Sequence, residues 1–115
     1  MEMPVTLRPG TLVTIAFPFT DLSAVKRRPA LVLISAGADI VLCGVTSQLS
    51  RRRDAVRLEQ RDMMDGRLPR RSEIRPLKLF TMHRSLLHHV VGRVKKGTLA
   101  AVVQVITTSL AAGVG

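Results

Sequence analysis

Apolar and polar residues alternate in short runs along the first half of the chain, a pattern typical of β-strands joined by turns. Residues 11–17 follow a Pro-Gly turn signal and are rich in β-branched side chains, so they predict a first strand. Residues 30–34 predict a short buried strand, and residues 40–47 predict the next one. The turn-forming segment between them favours an antiparallel hairpin, which would bring Arg28 close to Thr46.

Residues 50–82 combine many arginines with weaker strand signals. Residues 55–58 alternate and predict a strand, whereas an Asp-Gly pair and a proline after them mark turns. Residues 72–75 and 78–82 predict two extended pieces that are separated at Pro76. The region predicts no long helix, so the pattern to this point indicates a mainly-β domain.

The C-terminal segment has a different period. Its apolar residues follow helical spacing, at Leu99, Val102, Val103, Ile106 and Leu110. The spacing predicts an amphipathic helix with Thr98 as its N-cap, ending before Gly113. Because no charged residue follows Leu99, the weakly polar outer face of this helix suits packing against a second subunit.

Size and composition indicate one domain, residues 1–115, with a single hydrophobic core. The N-terminus shows no signal-peptide pattern, and polar residues interrupt the apolar C-terminal segment. We therefore predict a cytoplasmic protein that does not cross a membrane. The one cysteine, Cys43, lies in an apolar run and is interpreted as a small core side chain, without a disulfide or a thiolate metal site.

The net charge of the chain indicates which kinds of partner it can bind. Eighteen Lys and Arg residues against eight Asp and Glu give a formal net charge of +10, which favours a polyanion such as RNA, DNA, an anionic membrane or an acidic protein. The sequence contains no nucleophile elbow, no phosphate-binding glycine loop and no His or Cys spacing of a zinc site. We therefore expect neither a metal ion nor a cofactor.

The chemistry that remains uses arginine and hydroxyl groups. Residues 18–28 predict a polar loop, and Pro29 holds Arg28 in extended geometry where the next strand begins. An RNA chain carries its own nucleophile, the 2′-hydroxyl, so cleavage needs alignment, charge stabilisation at the phosphate and proton transfer. Arg28 can supply the charge, and Thr46 and Ser47 can hydrogen-bond the phosphate. An arginine near a threonine is common, however, and does not identify the function by itself.

Several longer motifs resemble the MazF/PemK family of toxin endoribonucleases from type II toxin–antitoxin systems. The N-terminal motifs are GTLVTIAFPFTD at residues 10–21, KRRPALVL at 26–33 and VLCGVTSQL at 41–49. The later ones are GRLPRRSEIR at 66–75, LFTM at 79–82 and VGRV at 91–94. The resemblance covers nearly the whole chain.

The resemblance implies a mainly-β fold, an SH3-like β-barrel of the MazF/CcdB type with a C-terminal α-helix, working as a homodimer. It also implies metal-independent cleavage of single-stranded RNA at short sequences, leaving 2′,3′-cyclic phosphate and 5′-hydroxyl ends, and inhibition by an acidic antitoxin. By the same resemblance Arg28 and Thr46 are catalytic. The implied RNA-binding residues are Phe19, Arg27, Ser47, Gln48 and Arg75.

One position departs from the family pattern. Several relatives carry Arg-x-Asp, with the aspartate as a candidate general base, where this chain has Arg75-Pro76-Leu77. Leucine cannot accept a proton, so either another group such as Asp21 is the base, or the chain is slow or inactive.

Two other classes of function remain open. One is a CcdB-like inhibitor that binds gyrase through a protein surface without cleaving RNA. The other is a non-cleaving nucleic-acid-binding barrel in which Arg51–Arg53 contact phosphates.

Overall fold

The computed structural model describes residues 7–18 and 25–114. In that part of the chain seven strands precede one long helix. The strands are β1 (Thr11–Pro18), β2 (Val25–Ala36), β3 (Asp39–Thr46), β4 (Val56–Leu58), β5 (Met63–Gly66), β6 (Ser72–His83) and β7 (Leu87–Val94), and the helix is α1 (Lys96–Val114). Short 3-10 helices at Gln60–Asp62 and Arg84–Leu86 lead into β5 and β7.

The strands form one sheet in the order β4-β6-β3-β2-β1-β7-β5, with antiparallel neighbours. The predicted mainly-β fold with a C-terminal helix is therefore confirmed. The predicted hairpin is β2–β3, in which Ala30 faces Gly44. On the other side of β3, Thr46 faces Glu73 of β6. The arginine-rich start of β2 and the end of β3 thus lie at the same end of the sheet.

Side chains from the two faces of the sheet form two hydrophobic clusters. Neighbours on a strand alternate between them, as the two-residue period of a strand requires. Leu12 and Cys43 belong to the first cluster, and Val13 and Leu42 belong to the second. The helix covers the first cluster through the buried Val102. Cys43 is fully buried, which confirms its predicted place in the core.

The structure corrects the boundaries around β2 and β6. Residues 25–28 were predicted as loop but are the first residues of β2. The two extended pieces predicted at 72–75 and 78–82 are one strand, β6. It remains continuous because residues 76–78 form a bulge: Cys43 faces Leu79, whereas the next residue, Gly44, faces Arg75.

The predicted start and end of the helix are also wrong. Helix α1 begins at Lys96, so Thr98 lies inside its first turn and is not the N-cap. The Leu99 N–H donates to the Lys95 carbonyl, which already closes a helical turn there. At the other end the helix continues through Gly113 to Val114. By length and composition alone α1 could cross a membrane, and the polar residues that interrupt it lie on its exposed surface.

The sequence pattern missed β5 and β7, which pair with each other at one edge of the sheet. Gly66 was predicted as part of a turn, but it ends β5 with a φ of +83° and faces Gly92 of β7. A Cβ at Gly92 would overlap the Asp65 carbonyl oxygen, and a Cβ at Gly66 would overlap the Val91 carbonyl oxygen. Both positions therefore require glycine.

Candidate active site

Two open cavities meet at the end of the sheet where β2 begins and β3 ends. The first, here called the Arg75 cavity, has a volume of about 480 Å³. It is lined by Arg28, Pro29, Gly44, Val45, Thr46, Gln48, Arg75, Lys78, Leu79 and Phe80. The second, here called the Arg70 cavity, has a volume of about 500 Å³ and lies against the loop after β5. Its polar and charged lining residues are Thr14, Arg27, Arg28, Thr46, Ser47, Gln48, Arg70 and Ser72.

Hairpin register explains why Arg28 and Thr46 line both cavities. Ala30 faces Gly44 across β2 and β3. The β2–β3 pairing ends at this pair, and Arg28 and Thr46 each lie two residues beyond it on the same face of the sheet. Both residues line both cavities. The juxtaposition predicted from the sequence is therefore present in the structure.

The residues after β3 form a turn that orients the Thr46 hydroxyl. The Gln48 N–H donates to Thr46 Oγ1 at 3.1 Å. A hydroxyl that accepts one hydrogen bond still carries its own hydrogen, which it can donate to a phosphate oxygen. Ser47 and Arg27 line the Arg70 cavity, whereas Arg75 lines the Arg75 cavity. Phe19 and Asp21 lie outside the described residues.

Sequence reasoning missed a buried carboxylate behind Arg75. Glu73 is only 4% exposed. Its Oε2 accepts from Arg75 Nε at 2.6 Å and from Ser50 Oγ at 2.7 Å. Its Oε1 accepts from the Ser50 N–H at 2.7 Å. The single sequence signal for this role was an acidic residue placed between Ser72 and Ile74 in a predicted strand.

These hydrogen bonds decide the charge of Glu73. Burial by itself would raise the pKa of the carboxyl group. The backbone and hydroxyl donors of Ser50, together with Arg75, outweigh burial and hold the pKa of Glu73 below its ordinary value. Glu73 is therefore an anion at neutral pH, paired with the Arg75 cation.

A smaller cavity of about 260 Å³ lies on the other side of Arg75, between the loop after β3 and the bulge in β6. It is lined by Arg52, Asp54, Arg75, Leu77 and Lys78. Arg52 donates to both carboxylate oxygens of Asp54 at 2.9 Å, and this hydrogen-bonded pair holds the pKa of Asp54 below its ordinary value. Leu77 is exposed and lines the same cavity as the Asp54 carboxylate.

Electrostatics make the Arg75 cavity and the Arg70 cavity suitable for phosphate groups. Among the residues that the structure describes, neither is lined by an acidic side chain, and each presents several cations. Arginine can contact two phosphate oxygens at once with its planar guanidinium group. The cavities therefore combine fixed positive charge with the Thr46 hydroxyl.

Two other kinds of chemistry find no site in the described ranges. No group of three His, Cys, Asp or Glu side chains in residues 7–18 and 25–114 could hold a metal ion. Burial raises the pKa of the Cys43 thiol to about 12, so this group is not a thiolate nucleophile at neutral pH.

Sequence comparison places most of the chain in one family. Residues 8–110 match the sequence model described as "PemK-like, MazF-like toxin of type II toxin-antitoxin system". No curated protein matches the chain in sequence.

Solved structures share the fold at low sequence identity. The MazE-MazF structure from Deinococcus radiodurans has a TM-score of 0.74 and 23% identity, covering 90% of this chain and 94% of that chain. An endoribonuclease in complex with its cognate antitoxin, from a mycobacterial species, has a TM-score of 0.68 and 19% identity, with coverage of 95% and 96%. The Mycobacterium tuberculosis toxin MazF-mt6 has a TM-score of 0.65 and 18% identity, with coverage of 90% and 96%. At these identities the likeness establishes the fold, and it confirms the predicted MazF-like architecture.

Proposed function

Because the chain belongs to the family of PemK-like, MazF-like toxins of type II toxin–antitoxin systems, we propose that it is an endoribonuclease that cleaves single-stranded RNA at short sequences without a metal ion. One observation carries this proposal. Arg28 and Thr46, from two paired strands, converge on a cavity that Arg75 also lines. RNA supplies the nucleophile itself, so the protein needs to align the chain, stabilise charge and transfer protons.

The proposed reaction is a transesterification within the RNA. The 2′-hydroxyl loses its proton and attacks the adjacent phosphorus, and the bond from phosphorus to the 5′-oxygen breaks. The leaving oxygen takes up a proton, so the products carry a 2′,3′-cyclic phosphate and a 5′-hydroxyl. Arg28 stabilises the charge that develops on the phosphate oxygens, and Thr46 donates a hydrogen bond to them. Arg75 supports the same phosphate from the neighbouring strand.

The RNA path extends on both sides of this phosphate. Arg27, Ser47 and Gln48 contact the RNA chain along the Arg70 cavity, and Phe19 contributes from the segment that joins β1 and β2. The described lining of this path carries several cations and no carboxylate, which supports a polyanionic substrate.

We also propose that an acidic antitoxin inhibits the toxin and that the toxin is a cytoplasmic homodimer. The net charge of +10 supports an acidic partner. Among proteins of the same fold, one is an endoribonuclease in complex with its cognate antitoxin. The exposed outer face of α1, which carries no charged residue after Lys96, supports packing against a second copy.

A cleavage assay tests the proposal. Purified protein is incubated with mixed-sequence single-stranded RNA in EDTA, and product ends are identified chemically. Arg28→Ala should lower the cleavage rate by at least about 100-fold, the effect of removing one transition-state donor. Arg61→Ala is the matched control, because it removes the same charge from a side chain that is 76% exposed and lines neither cavity.

The assay also separates the alternatives. No cleavage by the wild type, or equal cleavage by wild type and Arg28→Ala, would overturn the proposal. A stable complex with gyrase while RNA stays intact would instead favour the CcdB-like inhibitor, and tight RNA binding without cleavage would favour the nucleic-acid-binding barrel.

A further inference from the structure

We infer that Glu73 is a positioning residue for RNA cleavage: its buried carboxylate fixes the direction of the Arg75 guanidinium and anchors the segment that follows β3. The inference rests on the proposed function. It assigns a role to a residue that lines neither the Arg75 cavity nor the Arg70 cavity.

Glu73 lies between two neighbouring strands of the sheet. On β6 it faces Thr46 of β3 on one side and Arg57 of β4 on the other. Arg75 is two residues further along the same strand, so the two side chains project from the same face. Glu73 is therefore the strand neighbour of Thr46 and shares a face of β6 with Arg75, so it adjoins two of the proposed site residues.

The contact with Arg75 uses the atom that controls its orientation. Nε is the nitrogen nearest the aliphatic stem, and it donates to Glu73 Oε2 at 2.6 Å. Because the guanidinium group is planar, fixing Nε also fixes the plane in which the two terminal nitrogens lie. The Arg75 side chain is 27% exposed and lines the Arg75 cavity, so those nitrogens are the donors that a phosphate in the cavity can reach.

The same carboxylate also binds the segment that follows β3. Ser50 donates to it from both its N–H and its hydroxyl. The Ser50 hydroxyl oxygen in turn accepts from the Arg52 N–H at 3.2 Å. Glu73 thereby anchors the end of the segment that begins with Ser47 and Gln48, two of the proposed RNA contacts.

Stability alone does not account for a carboxylate at this place. An ion pair with a buried partner costs desolvation free energy, and well-packed apolar residues are often equally or more stabilising. An apolar residue at position 73 could fill the space but could not orient Arg75 or accept from Ser50. A carboxylate at this position is therefore explained by its hydrogen bonds to Arg75 and Ser50, which fix the orientation of both residues.

Glu73→Gln tests the inference, because glutamine keeps the shape but presents an NH2 group in place of one accepting oxygen. Single-turnover cleavage of single-stranded RNA should be slower by about 10- to 100-fold in the maximal rate. The RNA concentration at half-maximal rate should change by less than about 3-fold, since Arg75 keeps its charge. Glu59→Gln is the matched control: it removes the same charge from an acid that pairs with Arg61 at 3.7 Å, and it should cleave at the wild-type rate.

A double-mutant cycle distinguishes positioning from general destabilisation. In an Arg75→Ala background, Glu73→Gln should cause a smaller loss than in the wild type, because the part of its effect that acts through Arg75 is already absent. In addition, the NMR signal of the Arg75 Nε–H, identified by its loss in Arg75→Lys, should exchange slowly with solvent in the wild type and rapidly in Glu73→Gln.

The outcomes separate the two claims. Wild-type cleavage with an unchanged maximal rate in Glu73→Gln, or fully additive losses in the double mutant, would overturn the role of Glu73 and leave the proposed function intact. Absence of cleavage by the wild type would overturn the proposed function itself.

Discussion

Gly66 and Gly92 face each other where β5 pairs with β7, and replacing one of them tests whether the packing of these strands affects the site. A Cβ at Gly92 would overlap the Asp65 carbonyl oxygen, and a backbone atom cannot swing aside as the end of a long side chain can. Gly92→Ala should therefore push β5 away from β7. Strand β5 leads into the loop that carries Pro69 and Arg70, which line the Arg70 cavity, so the displacement should also weaken RNA binding.

The size of the effect follows from what β5 contributes. Met63, the first residue of β5, is 6% exposed and packs in the first hydrophobic cluster. Exposing a methionine fully costs about 1.5–3 kcal/mol, and each lost β5–β7 hydrogen bond costs a further ~0.5–1.5 kcal/mol. We expect the free energy of unfolding to fall by about 2–4 kcal/mol, which corresponds to a decrease in Tm of roughly 8–16 °C for a domain of this size.

Thermal unfolding followed by circular dichroism measures this change. Gly97→Ala is the control, since a Cβ at Gly97 meets no atom within 4 Å and alanine in a helix should be neutral or stabilising by about 0.5–1 kcal/mol. A Gly92→Ala protein that unfolds at the same temperature as Gly97→Ala would refute the steric argument.

Three further predictions concern the site and the core. The pKa of Glu73 is held below its ordinary value, so the stability that its ionised form contributes is present above about pH 4.5 and is lost as the pH falls through the depressed folded-state pKa. In urea unfolding across the acid range, the free energy of unfolding should fall more steeply with pH for the wild type than for Glu73→Gln. Equal pH dependence in the two proteins would contradict this linkage. Cys43, whose pKa is raised to about 12 by burial, should react with a thiol reagent at pH 8 only when urea unfolds the protein, so rapid labelling of the native state would argue against a sealed core. Gly44 lines the Arg75 cavity, and the atoms nearest to a Cβ there belong to the Lys78 side chain, the first at 3.2 Å. Gly44→Leu should fill the cavity and weaken RNA binding with little loss of Tm, because that side chain can move aside, whereas unchanged binding would place the RNA elsewhere.

Local patterns were sufficient for the central hairpin and its consequence. The apolar runs of β2 and β3, joined by a short turn, predict the observed hairpin, at whose end Arg28 and Thr46 line the same cavities. The same reasoning identified Cys43 as a core residue, because a strand buried on both faces has a continuous apolar sequence.

The pairing of β5 with β7 depends on contacts that no local pattern displays. β5 is four residues long and contains an Asp-Gly pair that resembles a turn. Its pairing partner β7 lies more than twenty residues away, and the close approach of the two strands is possible only with glycine at positions 66 and 92. Helix α1 was misplaced at its start for a related reason, since its first hydrogen bond is accepted by a residue before the apolar spacing begins.

Local sequence patterns predicted only the part of the site that the β2–β3 hairpin forms, Arg28 and Thr46. Arg75 entered through the resemblance to known toxins, and Glu73 did not enter at all. A buried acid is indistinguishable in sequence from a surface acid until its donors are known, and Ser50 is 23 positions away. The bulge at residues 76–78, whose Leu77 lines the same cavity as Asp54, likewise depends on the β3–β6 register.

The rate of single-turnover RNA cleavage in EDTA by wild type and by Arg28→Ala tests the central claim most directly. The account predicts that the wild type produces fragments with 5′-hydroxyl ends at short preferred sequences, and that Arg28→Ala is slower by at least about 100-fold while remaining folded. Intact RNA with the wild type, or equal rates for the two proteins, would contradict it.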